Sequence, residues 1–61
     1  MGKWIEWPWE PKKECDVEIE LVDGARIMCR FKEGVGFYRR VYDRIVKYSQ
    51  NSIYRWRECQ I

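Results

Sequence analysis

Basic side chains interleave with aromatic ones through the second half of this sequence: Phe37-Tyr38-Arg39-Arg40, Tyr42, Arg44, Lys47-Tyr48 and Tyr54-Arg55-Trp56-Arg57. Those residue types have a chemistry in common. Cations neutralise phosphates and displace their counterions while rings stack on bases, so such a run can form a surface for single-stranded nucleic acid. The same run also describes a β core, because alternate residues leave a strand in opposite directions, sending rings inward and arginines to water. Arg39, Arg40, Arg55 and Arg57 fall outside every apolar pattern in the chain. They are therefore candidate exposed cations for a partner, with Trp56 or Trp9 as an aromatic anchor.

Other constellations carry less chemistry. Gly34-Val35-Gly36 ahead of Arg39 and Arg40 lacks the remainder of any phosphate-loop pattern and reads as a turn between elements. Glu18 and Glu20 are two apart on an alternating segment, which puts both on a solvated face with nothing to separate their pKa values for acid and base work. The chain has no histidine, so Ser-His and Cys-His nucleophile systems are missing and no enzymatic activity is expected. Three cysteines, Cys15, Cys29 and Cys59, without a Cys-x-x-Cys spacing fall short of a structural zinc set. No metal and no cofactor are expected. An odd cysteine count suits reduced thiols in a reducing compartment.

The elements that must position these residues begin with Cys15 to Phe31, where apolar and polar residues alternate on both sides of Asp23-Gly24. A two-residue turn there would mix the faces. A three-residue loop, Val22-Asp23-Gly24, with Gly24 left-handed, instead pairs Leu21 with Ala25, Ile19 with Ile27, Val17 with Cys29 and Cys15 with Phe31. One face is then wholly apolar. The other sets Glu20 against Arg26, Glu18 against Met28 and Asp16 against Arg30. A slip of one residue would turn the apolar set into water, so the register is well specified.

Residues 1–14 form a Trp-studded arm in which Trp4-Ile5-Glu6-Trp7 can be a short strand, ended by Pro8 and Pro11. The segment 37–48 supports two readings. Tyr38, Val41, Tyr42 and Ile45 have helical spacing, yet Val, Ile, Tyr and Phe dominate and good helix formers are scarce. Taking Ser49-Gln50-Asn51-Ser52 as a turn predicts a second hairpin, Ile45 to Tyr48 with Ile53 to Trp56, within residues 37–58. The expected fold is thus one mainly β domain of 61 residues, a small antiparallel sheet of two hairpins with the Trp-rich N-terminal arm. An α+β domain, hairpin plus helix 37–48 plus a C-terminal strand, is the alternative.

Charge is divided along the chain. Residues 1–24 hold three cations against seven anions, net −4, and residues 25–61 hold nine against three, net +6. No apolar run approaches the ~20 residues of a membrane span, and the start lacks the order of a signal peptide. A cytoplasmic protein with no membrane segment is expected. A core of this size leaves aromatic surface and strand edges seeking cover, which predicts a homodimer or larger homo-oligomer.

Trp4-Ile5-Glu6-Trp7, the run Val17-x-Ile19-x-Leu21-x-Asp23-Gly24, and Tyr42-Asp43-Arg44-Ile45-Val46-Lys47-Tyr48 resemble short proteins of tailed bacteriophages and prophages. Those proteins have a Trp-rich start, an alternating strand ending in Asp-Gly and a later Asp-Ile-Ile-x-Tyr-like strand, and generally no assigned function. The resemblance implies phage origin and, in that case, the host cytoplasm as location. A chain this short can present a surface but hardly encloses an active site. The expected function is a phage-encoded accessory protein that binds a host protein and inhibits or sequesters it, for instance a component of a defence system. The alternative is a nucleic-acid or nucleotide-phosphate binder that uses the basic aromatic surface.

Overall fold

A computed structural model describes residues 2–59. The protein is mainly β, a single antiparallel sheet of six strands: β1 (Ile5–Glu6), β2 (Cys15–Leu21), β3 (Arg26–Lys32), β4 (Gly36–Val41), β5 (Arg44–Lys47) and β6 (Ile53–Glu58), in the spatial order β1-β6-β2-β3-β4-β5. The segment 37–48 holds β4, a turn and β5, not a helix. Strands β2 to β5 form a meander, and β6 returns across a 3-10 turn at Gln50–Ser52 to lie beside β2. Among the described residues no helix is long and apolar enough to cross a membrane.

The first hairpin has the register that alternation requires. Ile19 faces Ile27, Val17 faces Cys29 and Cys15 faces Phe31, with Glu20, Glu18 and Asp16 opposite Arg26, Met28 and Arg30. Its loop closes through Leu21 N–H donating to the Ala25 carbonyl at 2.8 Å and Gly24 N–H to the Leu21 carbonyl at 2.9 Å. Gly24 sits at φ 95, a conformation in which a Cβ would be strained, and Asp23 accepts from Ala25 N–H at 2.9 Å.

The second hairpin lies elsewhere than the turn signals indicate. β4 pairs with β5 through Tyr38–Lys47, Arg39–Val46, Arg40–Ile45 and Val41–Arg44, leaving a two-residue turn at Tyr42-Asp43. Ile53 to Glu58 pairs not with Ile45 to Tyr48 but with β2 and β1. Two local features explain the difference. Ser49 caps the short 3-10 turn, its hydroxyl accepting from Asn51 N–H and its carbonyl from Ser52, so Ser49 to Ser52 redirects the chain instead of reversing it. The reversal falls at Tyr42-Asp43, which lacks the glycine that usually marks such a turn.

The core shows how strongly the sheet curls. Val17, Ile19, Cys29, Phe31, Phe37, Ile53 and Trp56 are buried on one face. β4 and β6 are separated by β3 and β2, so in a flat sheet they would stand about 14 Å apart. Yet the Phe37 and Trp56 ring centroids are 6.5 Å apart, and Trp7 packs edge-on against Phe37 at 5.5 Å. The sheet therefore closes its apolar face on itself. β6 contributes through a bulge: Leu21 pairs with Ile53 and Glu20 with Arg55, leaving Tyr54 unmatched. That extra residue lets Ile53 and Trp56, three apart, both point inward.

The arm seals one end of this core. Ile5 pairs with Trp56, Glu6 with Arg55, and the Trp56 indole N–H donates to the Trp9 carbonyl. Trp7 lies inside and Trp9 outside, 73% exposed. Cys15, Cys29 and Cys59 are free thiols. Burial, then the neighbouring Cys59 charge, pushes the Cys29 thiol up from 9.0 to about 12. At about pH 8 iodoacetamide should leave Cys29 unmodified until the chain is unfolded, as peptide mapping would show, because the thiolate is the nucleophile. Because the folded value lies above the unfolded one, Cys29 supports the fold fully below pH 9.0, and that support is lost as pH climbs toward about 12.

Candidate functional site

The outer face of the sheet, opposite the core, carries the charges, and it divides into two regions. Over β6, β2 and β3 the charges cancel. Arg57 Nε and Nη2 reach Glu18 Oε1 at 2.7 Å, and Arg55 Nε and Nη2 reach Glu20 Oε1 at 2.9 Å, with Arg26 on the same carboxylate at 3.5 Å. Trp4 lies across this ladder, its ring 4.3 Å from the Arg57 guanidinium, 4.6 Å from that of Arg55 and 5.4 Å from that of Arg26. The β6 bulge and the β2–β6 pairing bring these groups together, since Glu18 and Glu20 stand opposite Arg57 and Arg55.

This overturns part of the expectation for the arginines. Arg55 and Arg57 are not exposed cations free for a partner: their side chains are 27% and 22% exposed, paired with carboxylates and covered by Trp4. Trp56 is no anchor either. It is 5% exposed and its indole N–H is satisfied within the fold. The physical cause is one that only pairing reveals: beside β2, the outer face of β6 sets Arg55 and Arg57 against carboxylates, while its inner face puts Trp56 in the core.

Beyond β3 the balance changes. A groove of about 510 Å³ on the outer face is lined by Arg30, Lys32, Val35, Tyr38, Arg40, Ile45 and Lys47. Register builds it. Arg30 stands opposite Tyr38, Tyr38 opposite Lys47, and Arg40 opposite Ile45, so three strands deliver cations in adjacent rows around one phenol ring. Arg30 is held by Asp16 at 2.7 Å and Glu14 at 3.0 Å. The hydrogen bonds to Glu14 and then Asp16 raise its already high pKa further. Lys32, Arg40 and Lys47 make no ion pair among the described residues.

A smaller hollow of about 380 Å³ adjoins the groove and shares Arg30, Tyr38 and Arg40 with it, adding Asp16, Met28, Cys29, Arg39 and Cys59. Arg39 and Arg40 are both exposed and make no ion pair among the described residues. Trp9 is exposed as well, but it belongs to a separate cavity of about 520 Å³ with Ile5, Pro11, Cys15 and Glu58. No group of His, Cys, Asp or Glu suited to a metal occurs among the described residues.

The arrangement can hold an anion extended along the sheet. Like charges gathered around a shallow, ring-floored trench raise the local positive potential and attract a polyanion. Sequence reasoning passed over Arg30 and Lys32 as parts of this surface. The signal was there: both occupy the polar phase of β3, two residues apart. What was missing was β4 as the neighbour of β3, which places Tyr38 and Arg40 beside them. No family model, curated protein or solved structure matches the chain.

Proposed function

We propose that this chain is a non-catalytic accessory protein that binds nucleic acid along the outer groove of β3, β4 and β5. The observation that supports this reading is the set of uncommitted cations, Lys32, Arg40 and Lys47, around Tyr38, on a protein whose other outer-face arginines are neutralised internally. A fold that pairs Arg26, Arg30, Arg55 and Arg57 with carboxylates but leaves three cations side by side carries a local repulsion that an anionic partner relieves. The neighbouring carboxylates Glu18 and Glu20 are held by arginines. A chain of 61 residues presents a surface more readily than it encloses an active site, which supports an accessory role.

Fluorescence anisotropy of a labelled oligonucleotide, titrated with protein across a salt series, tests the proposal. Three or four phosphate contacts should give a log–log dependence of affinity on salt with a slope of about −2 to −3. A flat salt dependence, or no binding at low salt, would overturn it. A second reading rests on Trp9, exposed beside Ile5 and Pro11: an apolar ledge on which a host protein could be captured and inhibited. Capture of that kind buries rings and persists at high salt, so the same series separates the two.

A further inference from the structure

We infer that Tyr42, at the tip of the β4–β5 hairpin, is a base-stacking residue and that the ligand of the groove is single-stranded nucleic acid. The inference rests on the nucleic-acid reading above and deepens it. Tyr42 is the first residue of the two-residue turn between Val41 and Arg44, and it holds φ 58. It is the single non-glycine residue with positive φ among those described. A turn with positive φ at its first central position and not its second favours glycine there, because a Cβ is strained in that conformation.

The ring gains nothing within the fold to offset that strain. Tyr42 is 93% exposed, the most exposed of the large hydrophobic side chains. A buried aromatic would return the cost through packing, but this one stands in water. The return is expected from outside the chain. On the two strands that this turn joins, Arg39, Arg40 and Arg44 make no ion pair among the described residues, and Arg40 lines the outer groove together with Tyr38. Cations tracking a phosphate backbone with a ring at the end of the track are the parts of a single-strand site. In a duplex the bases are already stacked and paired inside the helix. A ring on a hairpin tip can stack on a base only where that base is free.

Substitution at Tyr42 separates the ring's part in binding from its part in the fold. Tyr42→Gly removes the ring and relieves the backbone, so the variant should melt at the same temperature as the parent or higher. Its affinity for fluorescein-labelled oligothymidylate should nevertheless fall roughly 5- to 150-fold, the loss of one base–aromatic stack. Tyr42→Trp keeps a stacking face and should bind within about threefold of the parent. A matched duplex should bind the parent more weakly than the single strand and should be little affected by Tyr42→Gly. If the parent binds oligothymidylate and Tyr42→Gly binds equally well, the stacking role is overturned while the groove stands. Equal affinity for duplex and single strand overturns the choice of ligand. If the parent binds neither, the groove reading and this inference fall together.

Discussion

Replacing Lys32, Arg40 and Lys47 together by Ser should weaken oligonucleotide binding on the order of 100-fold at low salt while leaving the fold intact. Hydrogen bonds to charged groups contribute about 1.5–3 kcal/mol each, and solvation of these exposed side chains brings that down to about 1 kcal/mol per contact. Three contacts then give ~3 kcal/mol, or ~150-fold. The salt slope should shrink by about 2, since each phosphate contact on a single strand contributes roughly 0.7. Exposed substitutions away from pairs and caps shift stability by less than about 0.5 kcal/mol. Removing three neighbouring like charges relieves their repulsion, so the melting temperature should not fall.

The matched control is Arg55→Ser with Arg57→Ser, which removes two cations of the same chemistry from the other region of the same face. It should do the reverse. Glu18 and Glu20, each with a side chain 14% exposed, lose their nearest partners, and Trp4 loses two of the three guanidiniums beneath it. Breaking an ion pair that is only partly solvated leaves a poorly hydrated carboxylate, at a cost of about 1–2 kcal/mol per pair here, below the 3–5 kcal/mol of a fully buried one. Urea denaturation and anisotropy on the two variants provide the comparison. Binding lost in the Arg55/Arg57 variant at unchanged stability, with binding kept in the triple variant, would move the functional surface onto β6.

Phe37→Ala should have the largest effect on stability of any single substitution, lowering it by about 3–5 kcal/mol. Phe37 is 2% exposed and its ring stands 5.1 Å from Phe31, 5.5 Å from Trp7 and 6.5 Å from Trp56. One ring thus joins β3, β4, β6 and the arm across the closed side of the sheet. Stabilities of about 0.05–0.15 kcal/mol per residue allow a chain of this size only some 3–9 kcal/mol in total. The variant should therefore be largely unfolded near room temperature, with its near-ultraviolet circular dichroism lost. Phe37→Leu, which keeps most of the volume, should fold and melt lower. A cooperative transition for Phe37→Ala within a few degrees of the parent would show that the curled sheet is held by something other than this cluster.

Local pattern determined a good deal of this protein. From Cys15 to Phe31 the alternation and the Asp23-Gly24 signal left one register with an unmixed apolar face, and that register is the one observed, with its three-residue loop and Gly24 at φ 95. Period two is a property of neighbouring residues, so a hairpin whose strands are adjacent in sequence can be read from them directly. In residues 37–48 the spacing pointed to a helix and only the Val, Ile, Tyr and Phe composition to the strands that form there.

What the tertiary structure alone decided is everything that depends on which distant strand lies alongside. Arg55 and Arg57 read as free cations until β6 is set beside β2, where each meets a carboxylate more than thirty residues away in sequence. Arg30 and Lys32 read as a solvated hairpin face until β4 brings Tyr38 and Arg40 to their side. The tip at Tyr42 was hidden because its turn runs against residue preference, and such a turn persists only when the pairing of β4 with β5 over-determines it. Charge neutralisation and groove formation are pairwise and non-local. A side chain's type is written in the chain, but whether it is paired or left free is set by the neighbour that long-range strand pairing supplies.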